Sequence, residues 1–112
     1  LKDMRWPFIT GISAGQEYIG DKLSQPQVIM ALQFLDRLDA KTLEKVSEVH
    51  FVTSEKMQLY LLSGAKVRLG DGTKKTEKAQ KVQELVEQLG DKLERVDYFD
   101  VSFATPVIKF KP

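Results

Sequence analysis

His50 is the first residue to weigh for chemistry, because an imidazole titrates near neutral pH and serves as proton shuttle or metal ligand, and it is the only histidine in the chain. It stands between Val49 and Phe51, and the sequence contains no cysteine. A zinc site needs several Cys, His or acidic ligands at recognisable spacing, and a hydrolytic triad needs a nucleophile with an oriented base. Neither pattern surrounds His50, so a structural place inside a strand is the better reading. The lack of cysteine also removes disulfides and thiolate nucleophiles.

The remaining candidates are no more catalytic. Gly70-Asp71-Gly72-Thr73-Lys74-Lys75 looks like a phosphate loop, since Gly-rich turns before a helix aim N–H groups at anions, but it lacks the Walker spacing and reads as a strand-to-helix turn. Asp97 and Asp100 fall on opposite faces of a regular strand and cannot pair. Asp36 and Asp39, with Glu44 nearby, have nothing to set one carboxyl pKa apart from another. These residues predict no catalytic group, no cofactor and no metal.

Lys74, Lys75, Lys78 and Lys81 form a basic stripe interrupted by Glu77, Glu84 and Glu87, as on a solvated helical face. With 17 Lys plus Arg against 16 Asp plus Glu, the formal net charge is +1, so no global field draws the chain to nucleic acid. A nucleic-acid module would have to stack bases on Tyr60 and Tyr98 and use the lysine stripe for phosphates. The C-terminal region offers more. Tyr98, Phe99, Phe103 and Phe110 crowd a short stretch. A strand at the end of the chain is expected to be an exposed edge, which an extended peptide can complete. Alternation assigns about half of these aromatics to the core.

The elements that must position these residues follow from pattern. A chain of 112 residues, 42% hydrophobic and 29% charged, has the length and balance of one folded domain, here 1–112. No apolar run approaches the roughly 20 residues of a membrane helix, and no secretory signal opens it. Because it begins at Leu1 and not at Met, a piece of a longer protein is expected.

Trp6 to Gly11 reads as an edge strand with Pro7 near its start, and residues 12–23 as a loop. Ser24 is placed to cap a helix with Pro26 in its first turn, and Val28, Ala31, Leu32, Leu35 and Leu38 give its apolar face, widened by Met30 and Phe34. Asp39 to Lys45 looks like a frayed continuation or turn. Three strands, 46–53, 57–63 and 66–69, form an antiparallel meander.

A second helix spans about 75–89 with Ala79, Val82, Leu85, Val86 and Leu89 inward, and Gly90 ends it in a left-handed conformation. Residues 95–104 then alternate, Phe99, Val101 and Phe103 against Val96, Tyr98, Asp100 and Ser102. Thr105-Pro106 turns the chain into a last strand, 107–111. The predicted fold class is α+β, a mostly antiparallel sheet with two helices in the order β-α-β-β-β-α-β-β.

Three segments together resemble a known family. Trp6-Pro7-Phe8-Ile9-Thr10-Gly11 is similar to the LPxLTG segment that opens the C-terminal β domain of the FtsQ/DivIB cell-division proteins. Gly64-Ala65-Lys66-Val67-Arg68-Leu69-Gly70 resembles its G-x-x-V-x-L-G strand and turn, ahead of the helix that holds Lys78. Tyr98-Phe99-Asp100-Val101-Ser102-Phe103 resembles its Y-I-D-L-R-F strand, with Ser102 where an Arg is usual.

The resemblance implies a non-enzymatic divisome scaffold: a single-pass membrane protein whose POTRA and β domains lie outside the cytoplasmic membrane at the division septum, this chain being the β domain. It further implies partners of the FtsB/DivIC and FtsL types and a role in septal peptidoglycan synthesis. An FtsB-type partner would add a strand beside the last strands. The protein-binding residues carried over are Ser102, Phe103, Thr105, Val107, Lys109 and Phe110. Arg68, Lys78 and Tyr98 are added as flanking contacts by charge and proximity.

Overall fold

A computed structural model describes residues 7–11 and 25–112. Trp6, the loop expected over 12–23 and the Ser24 cap lie outside the described residues. The elements are β1 (Phe8–Gly11), α1 (Gln25–Leu35), α2 (Ala40–Leu43), β2 (Val46–Phe51), β3 (Met57–Leu61), β4 (Lys66–Gly70), α3 (Lys75–Leu89), β5 (Val96–Asp100) and β6 (Val107–Phe110), with a 3₁₀ segment at Gly90–Arg95. All six strands form one sheet in sequence order, β1-β2-β3-β4-β5-β6.

That sheet is mixed, which corrects the expectation of a mostly antiparallel one. The short connections do make β2, β3 and β4 an antiparallel meander, and β6 runs antiparallel to β5. But β1 pairs with β2 and β4 with β5 in parallel, because each of those links contains a helix that carries the chain back to its starting end. Both crossovers step the same way across the sheet from strands of the same direction. Right-handed connection therefore puts both helices on one face, and α1 and α3 indeed touch.

The register writes the core directly. Ile9, Val49, Leu59, Val67, Phe99 and Ile108 form one row across all six strands beneath the helices. Val49, Leu59, Val67 and Phe99 are wholly buried. The next rows, among them Glu48, Tyr60, Lys66 and Tyr98, and His50, Gln58, Arg68 and Asp100, turn to the open face. A period of two with one covered face produces this division.

On α1, Ala31, Phe34 and Leu35 point inward, as does Leu38 in the turn after it, whereas Leu32, expected in the core, is 47% exposed. Phe34 was expected only to widen the face, yet its ring fills the core position. Where a frayed continuation of the helix or a turn is expected over 39–45, the chain forms a second short helix, α2, because Asp39 caps it by accepting from the Thr42 N–H at 2.8 Å. That backbone hydrogen bond, with the Thr42 side chain, holds the Asp39 carboxyl below its ordinary pKa.

On α3, Ala79, Val82 and Val86 are buried and Leu85 and Leu89 pack at the rim. Gly90 ends it with a positive φ of 50° and its N–H on the Val86 carbonyl, but its ψ of −122° lies outside the left-handed helical conformation expected there.

Candidate binding edge at the last strand

β5 is shorter than the sequence pattern implies, and the cause is a single carboxylate. Asp100 Oδ1 accepts from the Ser102 N–H at 2.9 Å and from Ser102 Oγ at 2.5 Å. Such an Asx turn competes with extension of the strand, so residues 102–105 bend away from the sheet. Phe103, expected to alternate inward with Phe99 and Val101, is instead 61% exposed while those two are buried. Val96, expected beside Tyr98 and Asp100, is buried, because the register shifts between Val96 and Tyr98.

The bend is clamped from α3. Lys81 Nζ donates to the Phe103 carbonyl at 3.1 Å, and Lys74, Lys78 and Lys81 line a shallow cleft with Val101, Ser102 and Phe103. Gly70, at the end of β4, has φ of 74°, and a Cβ there would stand 3.0 Å from the Ser102 Cβ. A side chain would strain both the backbone and the loop. The sequence hinted at neither contact: Gly70 read only as a turn, and Lys81 only as one member of a stripe.

Lys78 is not part of a solvated stripe, contrary to expectation. It is 6% exposed, and its ammonium donates to the Asp71 carbonyl at 3.0 Å and lies 3.4 Å from Asp71 Oδ1. Asp71 in turn accepts from Thr73 Oγ1 at 2.5 Å and the Thr73 N–H at 3.0 Å. These hydrogen bonds, the Thr73 hydroxyl first, hold the Asp71 carboxyl down to about 2. The former phosphate-loop candidate is thus a self-satisfied turn that latches β4 to α3.

β6 is paired on one side only. Its neighbour is β5, and no strand lies beyond it among the described residues. Lys111 donates its N–H to the Arg95 carbonyl at 2.8 Å. With backbone direction alternating along a strand, Val107 and Lys109 also turn their groups toward β5, and Ile108 and Phe110 turn theirs outward. Val107 is 45% and Phe110 47% exposed, and Ile108 packs against the core rim.

The structure therefore gathers part of the expected set. Val107, Lys109 and Phe110 lie on β6, and Ser102, Phe103 and Thr105 lie in the exposed connection leading to it. Arg68 and Tyr98 lie on the open face, the Arg68 guanidinium carbon 3.9 Å above the Tyr98 ring. Lys78 belongs to the helix side, so the three flanking residues do not converge. The same division separates the tyrosines from the lysine stripe on which a nucleic-acid module would depend.

His50 is held in place as well. Its Nδ1 is 2.8 Å from Thr10 Oγ1, which donates to Glu48 Oε2 at 2.5 Å, a bridge that ties β1 to β2. Among the described residues no group of three His, Cys, Asp or Glu could hold a metal ion, and no helix is long and apolar enough to cross a membrane.

An open mixed sheet with helices on one face and a final strand that has no outer neighbour among the described residues defines an α+β domain with an edge. A sequence model of one family, described as "cell division protein FtsQ/DivIB, C-terminal", matches residues 3–102. The chain belongs to the FtsQ/DivIB family, and its role is in cell division. No curated protein matches the chain. The matched stretch runs through β5 and ends at Ser102, so β6 lies outside it.

Proposed function

We propose that this domain is a non-enzymatic scaffold of the divisome that receives a strand from an FtsB/DivIC-type partner on the outer edge of β6. FtsL belongs to the same assembly. In the full-length protein the domain stands outside the cytoplasmic membrane at the septum, tethered through a POTRA domain and a single membrane helix, and the complex acts on septal peptidoglycan synthesis.

The observation that carries this reading is the edge of β6, unpaired among the described residues, with the outward backbone groups of Ile108 and Phe110 beside the exposed side chains of Val107, Phe110 and Phe103. Strand addition draws affinity from main-chain hydrogen bonds and selectivity from alternate side chains. Such an edge is an aggregation hazard unless shielded or used. The titratable groups argue in the same direction, since Asp39, Asp71 and Asp100 are engaged in local hydrogen bonds that shape turns and His50 in a bridge between two strands.

Titrating the isotope-labelled domain with an extracytoplasmic FtsB or DivIC fragment should move the amide resonances of 102–111. Phe103→Glu should weaken the complex without unfolding the domain. Saturating fragment that leaves 107–111 unmoved would refute the assignment of the edge.

A further inference from the structure

We infer that β6 selects a partner strand that alternates apolar with acidic side chains, a carboxylate standing opposite Lys109, and that its lysines discourage two copies of this chain from pairing edge to edge. This rests on the strand-addition reading and adds the chemistry of the occupant.

The side chains of β6 divide between the two faces. Ile108 is paired with buried Phe99 and Phe110 with buried Val96, so both belong to the helix-covered side. Lys109 is paired with Tyr98, which is paired in turn with Lys66, so on the open face a tyrosine is flanked by two lysines. Arg68 stacks on that same ring. None of Lys66, Arg68 and Lys109 makes an ion pair among the described residues. The acid in the next row, Asp100, is turned to Ser102. The open face therefore carries three cations that form no ion pair among the described residues, with Asp100 the acid beside Arg68.

A strand added beyond β6 lies about 4.8 Å away, and the side chain directly opposite Lys109 has its Cβ within about 4.5–5.5 Å. An acidic residue there meets the Lys109 ammonium directly, while Lys66 and Arg68, two strands further in on β4, add only a weaker field that salt screens. Its neighbours on either side face the other way and cover Ile108 and Phe110, which calls for apolar side chains. A lysine at the central position would face like charge.

The same geometry counts against self-pairing. Two β6 edges related by a two-fold axis must join through their outward residues, Ile108 and Phe110. The register that engages all of 107–111 pairs Ile108 with Phe110 of the second copy and sets Lys109 against Lys109. Pairing Phe110 with Phe110 sets Lys109 against Lys111. Only the register centred on Ile108 escapes, placing Lys109 opposite Val107. Like charges directly opposite destabilise a ladder.

The test uses three synthetic octapeptides in which valine alternates with glutamate, glutamine or lysine, titrated at low salt against the labelled domain. The expected order is glutamate, then glutamine, then lysine, with at least a tenfold spread, shifts centred on 107–111, and the order inverted by Lys109→Glu. Equal affinities with shifts still on 107–111 would overturn the charge selection and leave strand addition standing. No shift on 107–111 with any peptide, while an FtsB or DivIC fragment moves them, would also overturn it. If the fragment fails as well, the edge reading falls and this inference with it. Sedimentation of a Lys109→Val, Lys111→Val double variant should show dimers where the parent chain is monomeric. A parent chain already dimeric through β6 would contradict the second half of the inference.

Discussion

β5 and β6 are neighbours in one sheet, yet they do opposite work. β5 lies between β4 and β6, with Val96 and Phe99 fully buried, whereas Val107, Lys109 and Phe110 of β6 are all exposed. The difference arises from topology more than from composition, since both strands carry aromatic and β-branched residues. The α3 crossover delivers β5 parallel to β4, under the helices. The Asp100–Ser102 turn then ends β5 and sends the chain back as the last, uncovered strand. A strand that stabilises the fold and a strand free to accept a partner can thus sit side by side. Perturbing the first should cost stability, and perturbing the second should cost binding.

Breaking β5 should have the largest effect. Phe99→Ala removes a fully buried ring from the row that spans the sheet, and a loss of about 3–5 kcal/mol is expected in chemical denaturation. Next comes the latch at the start of α3. Lys78→Met leaves the Asp71 carbonyl without its 3.0 Å donor, and about 1–3 kcal/mol should be lost. Lys81→Met, at a more exposed site holding Phe103, should cost under about 1 kcal/mol. Equal losses for the two lysines would contradict the burial of only one.

For β6 the expectation reverses. Phe110→Pro removes an outward N–H at an edge, where proline is tolerated, and a ring that is only half buried, so stability should fall by no more than about 1 kcal/mol. Partner affinity should nevertheless fall at least tenfold in a calorimetric titration.

The smallest effect concerns Asp71. Its folded carboxyl is held down to about 2 from 3.8, so the ionised form stabilises the fold above 3.8, and that contribution fades as pH falls toward about 2. The stability difference between the parent chain and Asp71→Asn should therefore shrink across that acid window. A difference that stayed constant would contradict the hydrogen bonding drawn for the turn.

Much of the fold could be read in advance from periodicity. The α3 span 75–89, the 46–70 meander and the alternation of Leu59 with Tyr60 or Val67 with Arg68 are local patterns that tertiary packing reinforces. The parallel pairings were not local: nothing within β1 or β4 states which neighbour it takes, and only the crossover geometry settles it. Phe103 was misplaced because one Asx turn at Asp100 overrides alternation, and Val96 because a register shift does the same.

The candidate edge was legible as an aromatic C-terminal strand, while its outward groups at Ile108 and Phe110 required the Lys111–Arg95 hydrogen bond to be seen. Lys78 had the spacing of a surface stripe. Its burial depends on the turn at Asp71, seven positions earlier, folding back to meet its ammonium.

Amide hydrogen exchange along β6, with and without an extracytoplasmic FtsB or DivIC fragment, tests strand addition most directly. In the free domain Lys109 and Lys111 should be protected by β5, while Ile108 and Phe110 exchange rapidly. In the complex Ile108 and Phe110 should become protected too, slowing at least tenfold. If the fragment binds while those two amides continue to exchange as in the free domain, the partner is not seated on the edge of β6.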